Sequence, residues 1–135
     1  MKCVMIINES LPLGLIANTA AVLGVSIGAH LDQIVGEDVV DGSGELHRGI
    51  TRLSIPLLRG TADTISQIRN KTIDLHNPDL YLVDFCDAAQ KSKQYSEYCM
   101  RMAQTPGDEL SYLGIGLFGP DKQINALTGN LGLLR

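Results

Sequence analysis

Residues 3–7 form an unbroken apolar run, Cys-Val-Met-Ile-Ile, and this run constrains the fold more than any other feature. Asn8 and Glu9 follow it directly. A short continuous apolar run that ends in polar residues is typical of a strand buried on both faces. We therefore predict that the chain builds a sheet covered on both sides, in which the first strand is central.

Residues 11–28 are predicted to form a helix. Apolar residues recur at helical spacing along one face, at Ile16, Ala20, Leu23 and Ile27. A second stripe has the same spacing but only small residues: Ala17, Ala21, Gly24 and Gly28. Small residues allow a close backbone approach, so we expect this stripe to pack against the sheet or against a partner. Together with a tyrosine-rich segment near residues 95–98, it suggests a homodimer.

The rest of the chain alternates between strand and helix patterns. Strands are predicted at residues 50–58, 80–84 and 111–117, and Pro56 indicates an edge position for the first of these. Helices are predicted after Thr61, over residues 92–103 and after Pro120, while residues 33–49 read as a long loop. This alternation predicts one α/β domain over residues 1–135, a three-layer α/β/α sandwich with a four-stranded mixed sheet.

Composition argues against several classes of function. The net charge is −4 with a pI near 5.2, and the basic residues are scattered, so strong nucleic-acid binding is not expected. The three histidines lack metal-site spacing, and no glycine-rich phosphate loop is present, so we expect no metal and no cofactor. Three cysteines without CxxC spacing favour the cytoplasm. No apolar stretch reaches the roughly 18 residues of a membrane span, so no membrane partner is expected.

The end of the chain resembles peptidyl-tRNA hydrolase II. The shared features are Gly-Ile-Gly at residues 114–116, Gly119-Pro120, and Leu-Thr-Gly-Asn-Leu at residues 127–131. The first strand and helix, and the strand at residues 80–84, resemble that family as well. The resemblance implies a peptidyl-tRNA hydrolase II-like fold, with residues 92–108 as an insertion and Asp87 at the position of the family's catalytic aspartate.

Residues 11–24 are more similar still to a bacterial family known as domain of unknown function two thousand. Its pattern appears here as Leu-Pro-Leu-Gly-Leu-Ile-Ala-Asn-Thr-Ala-Ala-Val-Leu-Gly. That family is similar in fold to peptidyl-tRNA hydrolase II. It has no established activity, so the resemblance implies a fold without implying a reaction.

The chain lacks most of the polar residues of peptidyl-tRNA hydrolase II. The family's lysine-rich run matches residues 12–17, which contain no lysine. Two further polar positions of the family match Ala21 and Gly24, and a threonine matches Lys91. Only Asp87 remains. Because lysines stabilise the charge that develops on an ester and bind tRNA phosphate, we predict that peptidyl-tRNA hydrolysis is lost.

Five polar residues are candidates for a site. Asp87 follows a strand and would act as a general base or ligand anchor, or would simply cap the next helix. Asn18 would hydrogen-bond a ligand carbonyl or a backbone group of a loop. His47 would take part in proton transfer or simply be exposed to solvent. Glu9 would join from the end of the first strand or be solvated. Lys91 would replace the missing lysines.

Two functions remain open, and whether the protein is an enzyme stays undecided. In the first, it binds a small molecule or a partner protein in the cleft that a peptidyl-tRNA hydrolase II-like fold would retain. We expect this cleft to be an apolar pocket near residues 13–18, with Asp87 and His47 at its rim. In the second, it hydrolyses an ester- or amide-type substrate, with Asp87 as base and Lys91 or another cation a few ångströms away. We favour the first.

Overall fold

The structure is a computed structural model that describes residues 1–135. The strands are β1 (Lys2–Asn8), β2 (Val39–Val40), β3 (Leu46–His47), β4 (Leu57–Gly60), β5 (Tyr81–Cys86) and β6 (Tyr112–Gly119). The helices are α1 (Leu13–His30), α2 (Ala62–Asp74), α3 (Asp87–Lys91), α4 (Tyr95–Gln104) and α5 (Asp121–Thr128), with a short 3₁₀ helix at Gly107–Glu109. The chain thus has a mixed α/β fold.

Four of the strands form a mixed sheet in the order β4-β1-β6-β5. β1 runs parallel to β4, while β6 runs antiparallel to both β1 and β5. Ile6 and Asp84 both lie opposite Ile115, which fixes the register across three strands. The predicted four-stranded mixed sheet and the central position of the first strand are confirmed.

β1 divides the core into two parts because its side chains alternate between the faces of the sheet. Val4 and Ile6 pack with α2 and α5 on one face. Cys3, Met5 and Ile7 pack with α1 on the other. All five side chains are at most 3% exposed, which explains why residues 3–7 contain no polar residue.

The close approach between α1 and the sheet depends on glycines of β6. A Cβ atom at Gly114 would lie 2.8 Å from Cγ2 of Thr19, and one at Gly116 would lie 2.9 Å from Cδ1 of Ile27. The small-residue stripe was expected to pack against the sheet or against a partner. Within the chain only Gly24 approaches the sheet, where a Cβ atom would lie 3.7 Å from Cε of Met5. Ala17, Ala21 and Gly28 are exposed on the outer side of α1, away from its buried residues.

Residues 33–49 do not form the predicted long loop. They include a β-hairpin in which β2 and β3 pair antiparallel. Asp41 shapes its turn, since its Oδ1 accepts hydrogen bonds from the backbone N–H groups of Ser43 (2.8 Å) and Glu45 (3.0 Å). Gly44 adopts a φ of +85°, which favours glycine. The turn-rich sequence therefore marks a hairpin tip.

The two edges of the sheet differ. The C-terminal segment covers the outer edge of β4, where the backbone N–H of Arg59 donates to Gly132 (2.9 Å) and that of Leu134 donates to Leu57 (2.8 Å). No strand pairs with the outer edge of β5. β5 includes most of the strand predicted at residues 80–84, and residues 81–84 are only half-buried because β5 lies at an edge.

One helix bears on the expectation that no segment could span a membrane. α1 has 18 residues with a mean hydropathy of 1.5, so its length and composition would allow it to cross a membrane. This is weak evidence, since core helices and signal sequences meet the same criterion. α1 packs against β1, β5 and β6, and 17% of its residues are buried.

Candidate functional site

Asp87 connects the end of β5 to the start of β6. Its Oδ1 accepts hydrogen bonds from the N–H groups of Ala88 (2.9 Å) and Ser111 (3.2 Å), and its own N–H donates to the carbonyl of Ser111 (2.9 Å). Lys91 lies one helical turn later, with Nζ 3.9 Å from Oδ2 of Asp87. Because the Lys91 side chain is 61% exposed, this ion pair contributes little stability.

The other predicted residues lie on separate elements. Asn18 is exposed on α1. His47 is exposed on β3, where its Nε2 lies 2.8 Å from Oδ2 of Asp41. This hydrogen bond, assisted by the N–H groups of Glu45 and Ser43, lowers the pKa of the Asp41 carboxyl. His47 is therefore placed to hold the tip of the hairpin.

A cavity of about 490 Å³ opens where α1 begins, close to the predicted pocket. It is lined by Glu9, Leu13, Ile16, Arg59, Leu134 and Arg135. Of the five candidates, only Glu9 lines this cavity; Asp87 and His47 do not form its rim. The fold therefore does not bring the predicted site residues together around one pocket.

A second cavity, which we call the edge cavity, runs along β5 and has a volume of about 340 Å³. It is lined by Val22, Ser26, Val83, Asp84, Phe85, Ala89, Ser92, Lys93, Gln94, Tyr95 and Tyr98. Consecutive side chains of a strand point to opposite faces. A cavity that contacts Val83, Asp84 and Phe85 together therefore meets the edge of the strand, including its main chain.

The walls of the edge cavity come from both faces of the sheet. Val22 and Ser26 belong to α1 on one side. Tyr95 and Tyr98 belong to α4 on the other, and their rings meet edge to face with centroids 5.3 Å apart. Burial is the largest cause that raises the pKa of Tyr98, so its hydroxyl stays protonated and able to donate at neutral pH.

Of the two charged residues that line the edge cavity, one forms an ion pair and the other does not. The Asp84 carboxylate is already paired on the α2 side, where its Oδ2 accepts a 2.8 Å hydrogen bond from Nε of Arg69. The Arg69 guanidinium also lies 5.1 Å from the ring centroid of Tyr112. Lys93 lines the cavity and forms none of the seven ion pairs in the chain. The cavity thus offers one free cation.

Sequence reasoning missed the edge cavity and connected the tyrosine-rich segment near residues 95–98 with a homodimer. The residues of the cavity come from two separate parts of the chain: Val22 and Ser26 of α1, and a continuous stretch from β5 through α3 to the start of α4. Elsewhere, no group of three or more histidine, cysteine or acidic side chains lies in a position to hold a metal ion.

Comparisons with known proteins now identify the family. The family model described as a protein of unknown function (DUF2000) matches residues 1–135. The chain belongs to the DUF2000 family. The DUF2000 chain is also similar to a solved structure of a protein of unknown function from Agrobacterium tumefaciens strain C58, with a TM-score of 0.85. The two are 16% identical over 98% of this chain and 96% of that one, which shows a shared fold. No curated protein matches the DUF2000 sequence.

Proposed function

We propose that this DUF2000 protein is a cytoplasmic, non-hydrolytic binding protein whose ligand occupies the edge cavity. The observation that carries the proposal is the cavity itself. Its volume of about 340 Å³ suits a small ligand, and apolar walls with a few polar groups are typical of ligand sites. We also propose that the chain is a single three-layer α/β/α domain similar in fold to peptidyl-tRNA hydrolase II.

The surroundings of Asp87 support a binding role over hydrolysis. A general base needs a carboxylate oxygen that can reach a substrate proton. In Asp87, one oxygen already accepts two backbone N–H groups, and the other faces Lys91. The lysines of the hydrolase family are also missing from residues 12–17. This arrangement suits a structural brace that holds the start of α3 against the residue before β6.

A hydrolase with Asp87 as base is the second candidate. The 3.9 Å separation between Lys91 and Asp87 favours it, since that hypothesis needs a cation close to the base. However, residues four apart on any helix are neighbours, so helical geometry alone would bring these two side chains together. The separation therefore gives the hydrolase only modest support.

A pair of matched variants tests ligand binding. Val22→Phe places a larger side chain in the edge cavity, whereas Val25→Phe makes the same change at a position of α1 that is 74% exposed and does not line the cavity. Screening a library of small amphipathic compounds by amide NMR should find ligands that shift residues 83–85. We expect Val22→Phe to abolish these shifts and Val25→Phe to retain them. Shifts that survive Val22→Phe would reject the edge cavity as the site.

Peptidyl-tRNA cleavage tests the second candidate. Purified wild-type protein and an Asp87→Asn variant are compared with buffer alone. We expect neither protein to cleave above background. Cleavage by the wild type that disappears in Asp87→Asn would show that Asp87 works without the family's lysines, and the non-hydrolytic proposal would then be wrong.

A further inference from the structure

The main chain of β5 is exposed to the edge cavity in a form that suits one kind of ligand. β5 pairs only with β6, and outside that pairing no backbone hydrogen bond involves residues 82–85. On an edge strand, alternate residues direct their N–H and C=O groups outward. Residues 82–85 therefore present about two N–H and two C=O groups without a protein partner.

The other edge of the sheet shows how this fold satisfies such groups. Along β4, residues 132–134 of the chain itself supply the missing partners, with an antiparallel bridge between Leu58 and Leu133. No segment of the chain does the same along β5. An extended backbone is the natural complement of the remaining open edge.

We propose that the edge cavity binds an extended peptide segment, which adds to the sheet as a fifth strand beside β5. This inference rests on the proposed function and names the ligand class. Because side chains of an added strand alternate, one set would contact Val22 and Ser26 on α1, and the other would contact Tyr95 and Tyr98 on α4. An acidic side chain would pair with Lys93.

The walls of the cavity favour a lone strand over a second copy of the chain. In edge-to-edge pairing the two strands approach to about 4.8 Å. Each copy carries α1 and α4 residues on both sides of its own β5 edge, so these walls would collide before the two strands met. A single peptide has no such walls and fits between them.

A phage-displayed library of random heptapeptides, panned against the full chain, provides the probes. Enriched peptides are synthesised with a fluorescein label, and their affinity is measured by fluorescence polarisation. We expect micromolar binders with alternating apolar residues, an acidic residue and no central proline. In amide NMR spectra they should shift residues 82–85 and 93–98.

Two sets of changes test the binding mode. N-methylation of alternate peptide amides removes the donors of one register at a time, so one series should lose about tenfold in affinity and the other should change little. Lys93→Glu should weaken the acidic peptides about fivefold or more, because it turns attraction into repulsion. Lys122→Glu makes the same charge change on α5 and does not line the cavity, so it should bind as the wild type does.

Several results would overturn the inference. These are a library without enrichment, shifts away from β5, an N-methyl series without alternation, or a dimer in light scattering whose β5 amides are already protected from exchange. If small compounds bind and Val22→Phe abolishes their binding, but no peptide binds, then the peptide inference is wrong and the proposed function stands. Absence of both would refute both.

Discussion

Gly114→Ala is predicted to destabilise the protein by forcing α1 away from the sheet. The added Cβ would lie 2.8 Å from Cγ2 of Thr19, 3.0 Å from Cδ1 of Ile7 and 3.1 Å from the carbonyl oxygen of Ile6. Carbon atoms prefer separations of about 3.5–4.0 Å. The contact with Thr19 must therefore open by roughly 0.7 Å.

Thr19 has little freedom to move aside. It is fully buried, and its Oγ1 donates a 2.7 Å hydrogen bond to the carbonyl of Leu15. Overpacking of a buried site costs about 1–3 kcal/mol. Replacing glycine also lowers the entropy of the unfolded chain, which offsets about 0.4–1 kcal/mol. We therefore expect a net loss of about 1–2 kcal/mol in the free energy of unfolding.

Urea denaturation measures this loss, and Thr19→Ser isolates its cause. Serine keeps the Oγ hydrogen bond to Leu15 but removes Cγ2, so the double variant should recover about 1 kcal/mol relative to the sum of the single variants. Gly28→Ala is the control. It lies in α1 with open space around its Cβ position, so it should stabilise by about 0.5–1 kcal/mol. A neutral Gly114→Ala, or no coupling with Thr19→Ser, would refute the reasoning.

Two further predictions concern a helix cap and a buried thiol. Thr61→Ala should lower the free energy of unfolding by about 1 kcal/mol in urea, because Oγ1 of Thr61 accepts the N–H of Thr64 (3.1 Å) at the start of α2; an unchanged midpoint would contradict this. Burial raises the pKa of the Cys3 thiol to about 11. An unfolded thiol ionises near pH 8.5, so the Cys3 contribution is complete below that pH and is lost as the pH rises to about 11. Stability should fall more between about pH 8 and pH 10 in the wild type than in Cys3→Ala, and equal losses would argue against it.

The predictable parts of this fold are those that depend on neighbours in the sequence. The run at residues 3–7 indicated a central strand, and β1 is central. Thr61 was expected to cap a helix, and its side chain does so. Pro56 indicated an edge strand, and β4 does lie at an edge, although it covers Leu57–Gly60 and not the predicted residues 50–58. Each of these patterns records the environment of a single element.

The candidate site was less predictable, because it depends on which elements meet. The apolar residues of β5 gave no sign that its outer edge would lack a partner. The small-residue stripe of α1 suggested close packing, yet the tight contact uses Gly114 of β6 instead. Asp87, Asn18, His47, Lys91 and Glu9 remain predictions as site residues, and the structure does not gather them around one pocket.

The sequence alone determined the central first strand, the cap of α2 at Thr61 and the alternation of the larger strands and helices. These properties follow from periodicity, caps and residue identity, which act over a few residues. Only the tertiary structure decided that β5 is an open edge, that residues 22–26 and 92–98 form walls beside it, and that Lys93 is left unpaired there. Strand order and pairing are set by contacts between distant segments, and local patterns carry little information about such contacts.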